Sequence, residues 1–231
     1  MRRRRPPEEE DASFWVSFSD VATALLMAFL LVIVILMLSQ KQKEAETRQR
    51  LEALVGVRES LIADLKQEFK NEFQQVRVDE RTGALELPSS ILFEYNKSDL
   101  TPSGRSYLNG FFRKYVRVLL SPKFAKFISQ IDIEGHADPD GDYLFNMVLT
   151  QTRAFSVCKF LFDPAQSQLT SQQLTLLRPI VSVNGRSNVD PAYKDQPGPL
   201  QIDSVRSRRV TFKFRLKDEQ LIQELKRLLK P

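Results

Sequence analysis

Glu134, His136, Asp138, Asp140 and Asp142 alternate along residues 133–142, and this density of ligating and proton-transferring side chains invites a chemical reading. The spacing rejects the common ones. A calcium-binding EF-hand loop needs acids at positions 1, 3 and 5, glycine at 6 and glutamate at 12. Counted from Asp138, glycine arrives at position 4 and position 12 is Leu149. Nucleophilic catalysis needs a serine or cysteine held by a base, and His136 has no such companion in a nucleophile motif. With a single histidine and a single cysteine, Cys158, the chain lacks an ordinary zinc set and cannot close an intrachain disulfide. Neither cofactor, metal nor catalytic residue is expected, and His136 reads as a structural residue at a strand end.

Binding is the reading that remains. A helix is expected from about Asp142 to Phe162, and on it Asn146, Thr150 and Arg153 are spaced by four and three, which puts them on one face with Asp138 near the helix N-terminus. Such a set suits a zwitterionic amino-acid centre, its ammonium on Asp138 and its carboxylate forked by Arg153, with Asn146 supporting the loop or the ligand. The spacing equally allows Asp138 and Arg153 to pair with each other.

A second carboxylate stands in an apolar setting. Residues 24–38 carry no polar side chain, but fifteen residues at 1.5 Å rise cover only about 22 Å of a hydrocarbon core about 30 Å thick. The polar run from Ser39 to Glu44 closes the C-terminal side, so a spanning helix must recruit Phe14 to Thr23, and Asp20 with them. A carboxylate there costs about 2.5 to 3.5 kcal/mol at mid-bilayer, less near an interface. Ser13, Ser17, Asp20, Thr23, Ala24 and Ala28 recur at helical intervals, a small and polar stripe suited to packing against other helices. A cleaved signal peptide is the alternative. The length of the run, the acids Glu8 to Asp11 and the poor cleavage site at Ser39-Gln40-Lys41 favour an uncleaved anchor, with the cluster Arg2 to Arg5 holding the N-terminus in the cytoplasm.

The elements that must position these groups follow from composition shifts. Residues 1–12 read as a cytoplasmic tail, 13–38 as a transmembrane helix and 39–75 as a charged helical stalk. Its Leu51, Leu54, Leu61, Ile62, Leu65, Phe69 and Phe73 suit pairing with a second copy or folding back on the domain. From 76 the texture is that of an α/β or α+β sandwich. Strand pieces are expected at Ala84–Leu87 and Ile91–Phe93, a helix capped by Thr101-Pro102 through about Leu120, and a strand at Ile128–Gly135. A short helix within 163–173, strands at Ile180–Val183 and Arg209–Phe214, and an amphipathic helix within 217–231 complete it. The net charge of +5 and pI near 9.3 admit nucleic acid, anionic lipid or an acidic polymer, but no nucleic-acid recognition motif is present, so no direct nucleic-acid partner is expected.

Gly135-His136-Ala137-Asp138, Gly141, Asn146, Leu149-Thr150 and Arg153-Ala154 resemble the signature of OmpA-like peptidoglycan-binding domains. Ile91-Leu92-Phe93-Glu94, Leu100-Thr101-Pro102 and Arg208-Arg209-Val210 fit the same family, over about residues 76–216. The resemblance implies that Asp138 and Arg153 grip diaminopimelate of the peptide stem. Ala137, Thr150 and Ser207 depart from the family's Thr, Ser and Asn, which bears on affinity.

Trp15 to Leu26 resembles the start of the B subunit of ion-driven stators, where a tryptophan precedes an Asp-x-x-Thr-Ala core. That resemblance implies a proton carried by Asp20, with Ser17, Thr23 and Ala24 facing the pore or partner. Two B helices, a homodimer, would stand inside a ring of A-type membrane subunits in the bacterial inner membrane, with the C-terminal domain in the periplasm. Ion choice depends on residues of the A subunit. Flagellar stators and the Zorya antiphage defence system both contain such a subunit; the short N-terminal segment and compact length incline the reading to the Zorya class. A passive membrane-tethered wall binder is the rival of another class, and Asp20 separates the two, because a tether gains nothing from a carboxylate in lipid.

Overall fold

A computed structural model of the chain describes residues 7–72, 75–194 and 199–217, and divides into two units, Met1–Ala53 and Leu54–Pro231. The first is helical throughout its described part. Helix α1 (Pro7–Phe69) begins inside the stretch read as a tail and is the one described helix long and apolar enough to cross a membrane, over Trp15–Gln49. The apolar side chains from Trp15 to Leu38 are almost all exposed, as lipid-facing groups of an isolated span must be. Thr23 is held back on the helix by donating its hydroxyl to the carbonyl of Ser19 at 2.7 Å.

The second unit is a mixed sheet covered by helices on one face. Its strands are β1 (Arg77–Val78), β2 (Leu85–Pro88), β3 (Ile128–His136), β4 (Val181–Gly185) and β5 (Arg209–Leu216), and the spatial order is β1-β2-β5-β3-β4. The β3 and β4 strands are parallel, which requires a crossover, and α4 (Tyr143–Phe162) with α5 (Ser171–Leu177) supplies it. All other neighbours are antiparallel. Register places Ile133 opposite Phe212 and Phe212 opposite Leu85, so one face of three strands is apolar. Against it, α3 (Pro102–Leu119) brings Phe111, Phe112 and Tyr115, whose rings lie 4.6, 5.7 and 5.9 Å from that of Phe212. Each such buried aromatic or aliphatic side chain contributes roughly 1.5–3 kcal/mol of transfer free energy.

Helix starts follow their caps. Thr101 accepts from the amide of Gly104 with Pro102 at the first turn, and Thr170 forms a capping box with Gln173. Three expectations differ from the structure. Ile91–Phe93 is no strand: Ser89–Leu92 forms a single helical turn, α2, and only Phe93 bridges, to Leu100. The short helix starts at Ser171, later than expected. The stretch read as a charged stalk does not stay clear of the sheet domain at its end: of its two readings, folding back on the domain is the one that Leu61, Leu65 and Phe69 follow, all fully buried in the second unit, Phe69 with its ring 5.4 Å from Phe111. The helix expected within 217–231 falls outside the described residues apart from Lys217.

The opposite sheet face is polar. Asp132 and Glu134 of β3 alternate with Ile131 and Ile133, and on β5 Arg209, Thr211, Lys213 and Arg215 alternate with the apolar set. Arg215 donates to Asp132 at 2.8 Å and Lys213 to Glu134 at 2.6 Å.

Candidate functional site

The acidic loop leaves the end of β3 and enters α4. Gly135 is required there because α4 rests on the strand backbone: a Cβ at this position would stand 2.2 Å from the carbonyl oxygen of Thr150. Gly185, its parallel partner on β4, faces the same constraint from Gln151 and Met147. Gly141 adopts φ +88°, a left-handed conformation that glycine takes without strain, and turns the chain into the helix. Asp142 then caps α4, its Oδ1 accepting from the amides of Leu144 and Phe145 at 2.9 and 3.0 Å.

Asp138, Asn146, Thr150 and Arg153 are all buried and lie together around this turn, but their partners differ from the simplest expectation. Asn146 donates from Nδ2 to the carbonyl of Asp140 at 2.8 Å, so it braces the loop. Thr150 accepts from the amide of Ser187 at 3.1 Å and ties in the segment after β4. Arg153 donates from Nε to the carbonyl of Lys97 at 2.8 Å and from Nη2 to that of Glu94 at 3.5 Å, with its guanidinium 5.2 Å from the ring centroid of Phe93. Asp138 pairs with Arg208 at the start of β5, and no ion pair joins it to Arg153. The alternative of a direct Asp138–Arg153 pair is thus not what the fold makes.

Arg208 is the residue that spacing along α4 could not reveal. Its signal lies in strand register: β5 runs antiparallel to β3 with Arg209 opposite His136, so the residue before it falls beside the loop that holds Asp138. Arg209 turns to the polar face instead, where it reaches Asp190 at 3.1 Å and Glu86 at 3.2 Å.

Electrostatics divides the cluster. Burial and the like charge of Arg208 press the Arg153 guanidinium below its usual range, while Asp138 acts the other way. Burial also pushes the His136 imidazole down; its ring is 1% exposed, with Glu134 and Asp190 at 3.4 and 3.9 Å. Burial would raise the Glu134 carboxyl, but Lys213 and His136 hold it down to about 2. The described residues hold no cluster of histidine, cysteine and carboxylate side chains fit for a metal ion. What the arrangement offers is a carboxylate and two guanidiniums at one end of a sheet. Two of the five N–H donors of Arg153 are spent on carbonyls that fix its plane. By charge and donor count such a group is able to pair with an ammonium and a carboxylate.

In the first unit, Ser17, Asp20, Thr23 and Ala24 are all exposed. Asp20 has no hydrogen-bond or ion-pair partner among the described residues.

No family model matches the chain. It is similar to the Zorya protein ZorB of Escherichia coli strain Crooks, with 27% identity over 96% of this chain and 97% of that protein. It is similar also to ZorB of Escherichia coli O139:H28, with 26% identity over 80% of this chain and 76% of that one. Among solved structures, a MotB-like protein of Desulfovibrio vulgaris superimposes with a TM-score of 0.47 at 16% identity, covering 74% of this chain and 99% of the other. The similarity to ZorB therefore extends over nearly the whole sequence.

Proposed function

We propose that the chain is the B subunit of a proton-driven rotary stator of the bacterial inner membrane, acting in antiphage defence of the Zorya type. The observation that carries this reading is similarity to ZorB across the unusual apolar helix and the sheet domain together. Asp20 carries the proton. It lies on a span that offers it no partner, beside Ser17, Thr23 and Ala24, and a ring of A-type subunits around two such helices supplies what one chain does not. The N-terminus lies in the cytoplasm and the sheet domain in the periplasm.

The sheet domain fixes the stator to peptidoglycan. Asp138 receives the ammonium of a stem-peptide diaminopimelate, and Arg153, its plane set by the carbonyls of Glu94 and Lys97, receives the carboxylate. Asn146 and Gly141 hold the loop in the conformation that presents Asp138. The chain performs no bond-making of its own.

Asp20→Asn tests the motor reading directly. Phage protection by cells carrying both subunits is expected to vanish, while membrane expression and sacculus binding stay at their original level. Full protection in that variant would leave a passive wall tether; loss of swimming in place of phage protection would assign the subunit to a flagellar motor.

A further inference from the structure

Residues 101–131 carry six cations, Arg105, Arg113, Lys114, Arg117, Lys123 and Lys126, and no acid. Three of the six are answered from the end of α1 and the turn that follows it. Lys123 meets Asp64 at 2.9 Å, Arg117 meets Glu68 at 3.4 Å, and Lys114 meets Glu72. Arg105, Arg113 and Lys126 have no carboxylate partner among the described residues.

Arg105 and Arg113 are two turns apart on α3, about 12 Å along its axis, with Asn109 midway. Both are exposed, and both lie against the connection from α4 to α5. Arg105 donates from Nη1 to Oε1 of Gln166 and Arg113 from Nη2 to Oε1 of Gln168, each at 2.9 Å, while Asn109 accepts from the amide of Gln168 at 3.2 Å. The acid of that connection, Asp163, accepts instead from the Gln166 side chain and the Ala165 amide. Neutral glutamines thus orient the two guanidiniums without cancelling their charge. Arg105 engages two of its five donors, the second on the carbonyl of Leu100 at 3.4 Å, and Arg113 engages one.

This row of charge adjoins the candidate site. Loop 94–100 is closed at its base by the Phe93–Leu100 bridge and by the Thr101 amide on the Leu92 carbonyl. Arg153 grips the loop through the carbonyls of Glu94 and Lys97, and Arg105 grips its end through Leu100. One short loop therefore separates the site from the start of the row. We infer that the edge of α3 marked by Arg105 and Arg113 is a second contact for the wall, taking carboxylates of stem peptides beyond the one held at Asp138 and Arg153. The inference deepens the proposed anchoring role and rests on it.

A guanidinium fork matches a carboxylate, and two forks spaced along one straight element suit a polymer that repeats its acid. A lipid surface fits less well, because this face of α3 shows Ser103, Ser106 and arginines and exposes no large apolar side chain for insertion. Each exposed ion pair is weak and screened by salt. Joined to the pocket through one polymer, it forms at a high effective concentration and adds to the hold.

The test titrates the full chain in detergent with purified sacculi and, separately, with a soluble muropeptide carrying one stem. Arg105→Gln with Arg113→Gln is expected to weaken sacculus binding about tenfold and to keep muropeptide affinity within about twofold. The decline of sacculus binding with added salt should become shallower in that variant. Arg105→Lys with Arg113→Lys keeps the charge without the fork and should restore part of the loss. Gln166→Ala with Gln168→Ala removes the staples and keeps the charges, so it should hold sacculi as the original chain does. Sacculus affinity unchanged in the Arg105→Gln, Arg113→Gln variant overturns the second contact. An equal loss in the Gln166→Ala, Gln168→Ala variant overturns it too, by reducing the arginines to braces for the α4–α5 connection. So does a loss seen only with phosphatidylglycerol vesicles, which gives the edge to a lipid surface. Asp138→Ala with Arg153→Ala separates the two readings: if it still binds sacculi and muropeptide, the anchor falls and the inference with it, whereas if it loses both while the arginine pair changes nothing, the second contact alone falls.

Discussion

Asp132 and Glu134 lie within β3 and Asp138 just past its end, and the three carboxylates are answered in different ways. The strand pair are met by Arg215 and Lys213 from the neighbouring strand, at positions fixed by the antiparallel ladder. Asp132 accepts further from Gln130 and Ser182, which leaves it little capacity for anything else. Asp138 is met by Arg208 from the start of β5, in a loop that glycine turns and an asparagine braces. The lesson is one of exchangeability. A carboxylate locked into a ladder is architecture, whereas one matched at a loop by a single side chain is the kind that the proposed wall-binding role requires to exchange its partner for an ammonium.

The contrast can be broken at its base. Gly135→Ala drives a methyl group into the Thr150 carbonyl, so α4 must lift from the strand; a loss of about 3 kcal/mol or more in chemical denaturation is expected, with wall binding lost alongside. Next in size, Asp138→Ala with Arg153→Ala should reduce muropeptide affinity at least a hundredfold by calorimetry while the thermal transition stays cooperative. Undiminished pull-down of sacculi would remove the anchor reading. Arg208→Ala sharpens the distinction: it leaves Asp138 buried and unmatched, so stability should fall by about 1–3 kcal/mol, and affinity should fall less than for Arg153→Ala.

The smallest effect belongs to the ladder and appears as pH dependence. Glu134 is held at about 2 against an ordinary 4.5, so its contribution is complete above about 4.5 and drains away as pH falls toward 2. His136 is held below its ordinary 6.5, so the folded chain takes up fewer protons than the unfolded one and stability already declines as pH drops from there. Glu134→Gln should flatten the lower limb of the stability curve by on the order of 2 kcal/mol and leave muropeptide affinity at neutral pH unchanged.

Much of this was legible in the residues because local chemistry sets it. Thr101-Pro102 and Asp142 mark the starts of α3 and α4, and the alternation around Ile131 and Ile133 marks a strand with one polar face. That Asn146, Thr150 and Arg153 share one buried face of α4 followed from their helical spacing. What escaped depends on partners distant in sequence. Ile91–Phe93 is too short for its periodicity to separate a helical turn from a strand. Leu61, Leu65 and Phe69 carry a stripe that would serve a second helix as well as a sheet domain, and only the tertiary fold chooses. Arg208 finds Asp138 through the register of β5 on β3, which no single segment encodes.

The bare backbone at Gly135 and Gly185 also has a mechanical meaning. Where methyl groups would have kept them apart, helix and strands touch main chain to main chain, leaving no compliant cushion of side chains between. In the proposed anchoring role, a pull on Arg153 would pass from α4 to the sheet through this main-chain contact.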